Sequence, residues 1–250
     1  MSVGVFASIS SSYLKAAKNV FTYFDYSPSL LKPVVLLLAL IYALFLLFIG
    51  IIFYCFIILD WVGQLTDGIR NFFMSVIENN SYRVGSSLFS FLFRPLGMLV
   101  LAPLFLISLC IPKFSSAVEL DPYGVSDAMG TFKRIQQAFW QAAKRLFYYV
   151  SNSFILLMPF VAVIAVFYSL VLIVMGLVFF LLIPLDWISH LVENIREGIA
   201  NFCHNHQRKI VYSFADFLFS PILLIILSPI FMGLLIIPKF SGELASNSIS

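Results

Sequence analysis

The densest group of side chains able to do chemistry lies between residues 186 and 206. His190, Glu193, Glu197 and His204 share one helix face, and Cys203-His204-Asn205-His206 adds more donors. Imidazole, carboxylate and thiolate are what zinc takes as ligands, so metal binding is the chemistry this spacing offers. One helix face rarely closes a coordination sphere, however. The stretch 126 residues earlier carries Gln64, Asp67, Asn71 and Glu78 instead, with no histidine. A solvated polar face explains both stretches, and no metal or cofactor is expected.

The second candidate is charge inside apolar sequence. Arg94 and Asp216 each interrupt a long hydrophobic run. A charged side chain at mid-membrane costs at least about 2.5–3.5 kcal/mol on insertion scales and marks a functional site by default. Shifted by 126 residues, Arg94 falls on Ser220 and Asp216 on Ser90, so each half supplies one charge where the other has serine. An offset of four residues is about 6 Å along a helix, within reach of an arginine. An Arg94–Asp216 ion pair between the halves is the expectation; the competing reading leaves both residues at the headgroups. No GxxxxGK[ST], GxSxG, HExxH or CxxC motif occurs, so the phosphate, acyl-transfer, metalloprotease and redox signatures are missing. Catalysis would have to rest on Asp60, Asp186, His190 and the 203–206 cluster, and an enzyme is not expected.

These residues hang on a duplicated framework. Leu59-Asp60-Trp61 returns as Leu185-Asp186-Trp187, and the same 126-residue shift carries Ala16-Ala17-Lys18 onto Ala142-Ala143-Lys144 and Gly50 onto Gly176. Phe91-Leu92-Phe93 with Pro95 becomes Phe217-Leu218-Phe219 with Pro221, Pro103 becomes Pro229, and Ile111-Pro112-Lys113-Phe114-Ser115 becomes Ile237-Pro238-Lys239-Phe240-Ser241. Internal repeats outrank other signals in fixing a fold. Two domains follow, a membrane repeat over 1–125 and a second over 126–250.

Composition names the solvent. Hydrophobic residues make up 61% and charged residues 11% of the 250, against about 45–50% and 25% in soluble domains. Too little charge is left to cover a water-exposed surface, so the remainder faces lipid. A net charge of +3 is too small and too scattered for nucleic acid. Cys55, Cys110 and Cys203 are odd in number and out of register, which excludes a disulfide framework. The first 28 residues lack the apolar core of a secretory signal. Phe6, Ile9, Tyr13, Ala17, Val20 and Phe21 also reappear as Phe132, Ile135, Phe139, Ala143, Leu146 and Phe147, so this segment reads as structure and not as a cleavable address.

In chain order, apolar positions over 5–25 recur at helical spacing with Lys15 and Lys18 opposite, as in helices lying at a membrane interface. Residues 34–59 carry no charge, and their copy runs over 154–185; roughly 20 apolar residues suffice to cross a bilayer. Trp61 and Trp187 end these runs as interfacial anchors, and the neighbouring Asp is suited to cap the helix that follows. A second amphipathic helix is expected over 60–79 and again after Trp187. The second apolar runs, 84–111 and 210–237, contain the helix breakers Pro95, Pro103, Pro221 and Pro229. Lys113 and Lys239 close them as snorkelling anchors. Residues 115–131 form the linker.

The expected fold is an all-α integral membrane protein of two tandem, structurally similar repeats, with four membrane segments. If all four cross, Lys15, Lys18, Lys32, Lys113, Lys133, Arg134, Lys144, Arg145 and Lys239 share the side of the termini, against Arg70, Arg83, Arg196, Arg208 and Lys209. That bias puts the termini in the cytosol. Crossing by only the first run of each repeat leaves no bias. A third arrangement makes each run a re-entrant hairpin with tips at Gly50 and Gly176. A non-enzymatic scaffold that shapes a bilayer or recruits partners is the expected function. Its partners would be lipid, further copies, or other membrane proteins. The alternative is a small transporter or channel subunit with a path near Arg94 and Asp216.

Overall fold

Within apolar runs no water is at hand to satisfy a backbone N–H or C=O, and a helix pairs these groups internally. The computed structural model describes residues 3–109, 111–114, 117–118 and 130–240, and its architecture is all-helical. In order come α1 (Val5–Tyr26), α2 (Lys32–Cys55), α3 (Ile57–Arg83), α4 (Leu88–Leu109), α5 (Thr131–Ser151), α6 (Met158–Leu181), α7 (Ile183–Lys209) and α8 (Phe214–Leu235). Two-residue strands β1 (Val3–Gly4) and β2 (Ala117–Val118) pair antiparallel, Val3 opposite Val118. Cys110 and most of the expected linker lie outside the described residues.

Four helical segments are long and apolar enough to cross a membrane, beginning at Lys32, Leu88, Met158 and Phe214. Two of them, Lys32–Arg83 and Met158–Lys209, run for 52 residues because α2 continues into α3 and α6 into α7. The amphipathic stretch expected from residue 60 therefore starts at Ile57 with no intervening loop. Pro33 and Pro159 occupy the first turns of α2 and α6, where a missing N–H costs nothing. Pro95 and Pro103 lie inside α4, and Pro221 and Pro229 inside α8; these helices continue through them. α2 and α6 likewise pass straight through Gly50 and Gly176 without a hairpin turn.

The described helices group into two compact units, each drawing on both halves of the sequence. Unit 1 contains α1, α2, the start of α3, residues 191–209 of α7, and α8. Its core joins Phe6, Tyr13, Val20, Leu46 and Phe53 to Cys203, Phe217, Leu224 and Leu235. Here α1 runs antiparallel to α2 along its whole length. Phe6 stacks on Phe56 at 5.9 Å, Tyr13 on Phe53 at 5.4 Å, and Lys32 Nζ lies 5.8 Å from the Phe24 ring centre. Between these contacts Ser10 Oγ donates to Gly50 O at 3.0 Å. α8 closes the bundle: Tyr23 stacks on Phe217 at 4.6 Å, Tyr13 OH donates to Leu224 O at 2.8 Å, and Tyr42 OH to Leu218 O at 3.4 Å.

Unit 2 contains residues 65–83 of α3 together with α4, α5, α6 and the start of α7. Its core joins Met74, Phe91, Met98 and Phe105 to Phe132, Phe139, Leu146, Leu172 and Phe179. Phe139 stacks on Phe179 at 5.6 Å, Tyr149 stacks on Phe91 at 4.9 Å, and Tyr168 OH donates to Leu92 O at 3.2 Å. The pair of helices that opens each half thus packs on the last helix of the other half.

Candidate membrane interface

The residues at the helix joints do something other than cap the next helix. Asp60 sits in the first turn of α3, yet its carboxylate accepts the N–H groups of Phe6 at 3.3 Å and Ala7 at 2.9 Å. It therefore caps the distant α1, whose own N-cap is Gly4, a residue with no side chain. A Cβ on Gly4 would overlap the Asp60 carboxyl. In unit 2, Asp186 accepts from Phe132 N at 3.3 Å and Lys133 N at 3.2 Å, and Gly130 leaves it the same space. A carboxylate at a helix N-terminus is favoured both by charge-assisted hydrogen bonds and by the helix dipole.

Two buried arginines complete these joints. Arg196, with no exposed surface, donates through Nη2 to Ile237 O at 2.6 Å and Lys113 O at 3.4 Å, and it feels the negative charge of Asp60. Arg70, 2% exposed, donates through Nη2 to Ile111 O at 2.7 Å. In both arginines Nε and Nη1 are buried with no hydrogen-bond partner. Lys113 and Lys239, expected to snorkel, are instead buried at 5% and 2% exposure. Sequence reasoning passed over Arg70 and Arg196, although a signal was available. Besides Lys18/Lys144, the charged residues identical in both copies are Asp60/Asp186, Arg70/Arg196 and Lys113/Lys239, and these three pairs are the buried ones.

The remaining expected residues lie as follows. Trp61 and Trp187 are 72% and 76% exposed. Arg94 donates to Asn80 Oδ1 at 3.1 Å inside unit 2. Asp216, inside unit 1, belongs to the N-terminal cap of α8: its N–H donates to Ser213 Oγ at 3.1 Å and Ser213 Oγ donates back to Asp216 Oδ2 at 2.7 Å. Each charge thus has a partner within its own unit. Among the described residues no group of three or more His, Cys, Asp or Glu side chains is placed to hold a metal ion.

The outer surface differs between helices. α2 presents Leu37, Leu40, Leu44, Phe48 and Ile51 outward, and α8 presents Phe219, Ile226 and Ile230, all more than half exposed. α1 exposes Ser11, Lys15 and Lys18 beside Leu14, Phe21 and Tyr26, and the end of α7 exposes Asn194, Asn201, Asn205 and Arg208. In unit 2, α6 exposes Phe160, Val163, Phe167 and Leu170, whereas α5 exposes Lys133, Gln141 and Lys144 together with Trp140, Phe147 and Tyr148. The end of α3 adds Asn71, Ser75 and Asn79. Arg134 and Glu78 tie α5 to α3 through a double hydrogen bond, 3.1 Å at each oxygen. Lys15 and Lys18 fall between the Gly50 and Lys32 contacts of α1 with α2, beside the middle of the apolar run. Were α2 to stand across a bilayer, both would face hydrocarbon unless a wet surface covered them, at about 2.5–3.5 kcal/mol each.

Comparison with protein-family models, curated proteins and solved structures gave no match. The functional reading rests on this chain's own residues.

Proposed function

We propose that this chain is a non-enzymatic integral membrane protein that shapes the bilayer or recruits partners to it, built from two tandem repeats of similar structure. One observation carries the reading: within unit 1, the apolar outer surface of α2 runs along α1, which carries the exposed Lys15 and Lys18. A bundle with both surfaces displaces headgroups and acyl chains together, as amphipathic wedges do. Among the described residues the two cores are rich in Phe, Leu and Ile, side chains that offer a polar solute no hydrogen-bond partner. The partners are lipid and, through the same surfaces, further copies or other membrane proteins.

The experiment is reconstitution into liposomes. Tubulation or vesiculation without passage of a trapped solute supports the scaffold. Flux of an ion or small anion, abolished by Arg94→Ala or Asp216→Ala, would instead favour the transporter or channel subunit.

A further inference from the structure

We infer that each unit lies with its helix axes in the plane of a single leaflet, α2/α8 and α6/α4 towards the acyl chains and the basic helices towards anionic headgroups. The inference rests on the bilayer-shaping reading above and replaces the four crossings expected from run length.

Three observations point the same way. First, α1 follows α2 from the Phe6–Phe56 stack to the Lys32–Phe24 contact, and the end of α7 meets α1 where Asn19 Nδ2 donates to Gln207 O at 2.6 Å. Helices packed side by side share one orientation to the membrane. A crossing α2 with α1 flat at the interface is therefore not available to this bundle. Second, α2 and α6 expose apolar residues over their whole length, whereas α1 and α5 carry the exposed lysines, set among Leu14, Phe21 and Tyr26 on α1 and Trp140, Phe147 and Tyr148 on α5. A bundle that stands across a bilayer needs a belt of apolar surface around its waist; a bundle lying in one leaflet needs apolar and polar sides along its length, which is the pattern present. Third, among the described residues the exposed bases include Lys15, Lys18, Arg83, Lys133, Lys144 and Arg208, against one exposed acid, Asp25. Near an anionic leaflet such residues attract, and the attraction falls off within a Debye length. Trp140, about half exposed beside Lys144 with Nζ 5.8 Å from its ring, supplies the aromatic and basic mixture suited to headgroups.

The test uses the full-length protein with its native cysteines replaced, reconstituted in phosphatidylcholine vesicles containing phosphatidylglycerol. Single cysteines at Leu37, Leu44 and Ile51, all on the exposed side of α2, carry a fluorophore read against quenchers at graded depths. In-plane helices give one depth for all three, within a single leaflet. A crossing helix gives a steady gradient of about 21 Å over the 14 residues at 1.5 Å each, and that gradient would overturn the inference. Lys15→Cys and Asn201→Cys should react from one side with an impermeant maleimide; labelling from opposite sides contradicts it equally. Among co-purified lipids, phosphatidylglycerol should be enriched, and Lys15→Gln/Lys18→Gln/Lys144→Gln should lower that enrichment; an unchanged lipid ratio removes the headgroup assignment. A graded depth with remodelling intact sinks the orientation and spares the proposed function. Uniform depth with solute flux does the reverse.

Discussion

Gly4 and Asp60 are complementary across 56 positions of sequence: the glycine at the N-cap of α1 leaves a gap, and the aspartate carboxylate fills it to receive two helix N–H groups. Adding one methyl at Gly4, or at Gly130 opposite Asp186, should cost about 1–3 kcal/mol, the usual price of overpacking. Gly68→Ala is the control, since a Cβ there meets nothing within 4 Å; it should be neutral or stabilising by up to about 1 kcal/mol. Thermal unfolding in mild detergent reads the difference. Equal shifts for Gly4→Ala and Gly68→Ala would dispose of the remote cap.

Arg196 is expected to tolerate little. Its removal leaves Asp60 as a buried charge without its neighbour and strands the carbonyls of Ile237 and Lys113. Losing hydrogen bonds from a charged donor costs about 1.5–3 kcal/mol. Arg196→Lys should recover only part of that loss, because an ammonium lacks the planar fork. Full recovery by lysine, measured as the melting temperature in detergent, would mean that only charge matters there.

The two halves should hold together after the chain is cut. Tyr23 stacks on Phe217 and Tyr149 on Phe91, so each unit needs helices from both halves. With a protease site inserted between Val125 and Ser126, the fragments should co-elute in mild detergent. With the native cysteines replaced, Tyr23→Cys with Phe217→Cys, bridged by a short bifunctional thiol reagent, should restore full-length mass on a denaturing gel, and either cysteine alone should not. Fragments that separate on elution and give no bridged product would show each half folding on itself.

Burial pushes the Tyr13 phenol well above its ordinary 10.0, and the neighbouring Cys203 adds to the effect. The unfolded chain releases this proton near pH 10 while the folded chain keeps it, so the stabilisation is complete below that pH and declines as pH rises beyond it. Tyr13→Phe should be less stable at neutral pH through loss of the bond to Leu224 O, yet show a shallower decline above pH 10. Denaturant titrations at pH 8 and pH 11 compare the two; parallel declines would contradict the assignment.

Much of this was legible in the sequence. The apolar runs gave the four segments long and apolar enough to cross a membrane, the 126-residue register located the paired joints, and Trp61 and Trp187 are exposed as their type suggests. What a helix face packs against was not legible. The pattern of Phe6, Ile9, Tyr13 and Val20 shows that α1 has an apolar side, but a membrane interface and the flank of α2 satisfy that side equally. Asp60 is followed directly by a helix, so local logic assigned it to that helix; its partner lies where only the fold can bring it. The exchange of helices between halves was hidden for a different reason. Tyr23 would meet Phe91 or Phe217 with the same chemistry, because the copies offer the same residues.

The helix exchange also bears on how the protein can be made. A ribosome that has reached residue 125 has produced pieces of both bundles and the whole of neither, since α1 and α2 wait for α8. Nascent chains must therefore hold the α1–α2 pair without its third helix until translation is nearly over. A premature stop before Phe217 leaves no finished bundle at the amino end, and truncated products should be cleared by quality-control proteases and not accumulate as a smaller stable protein.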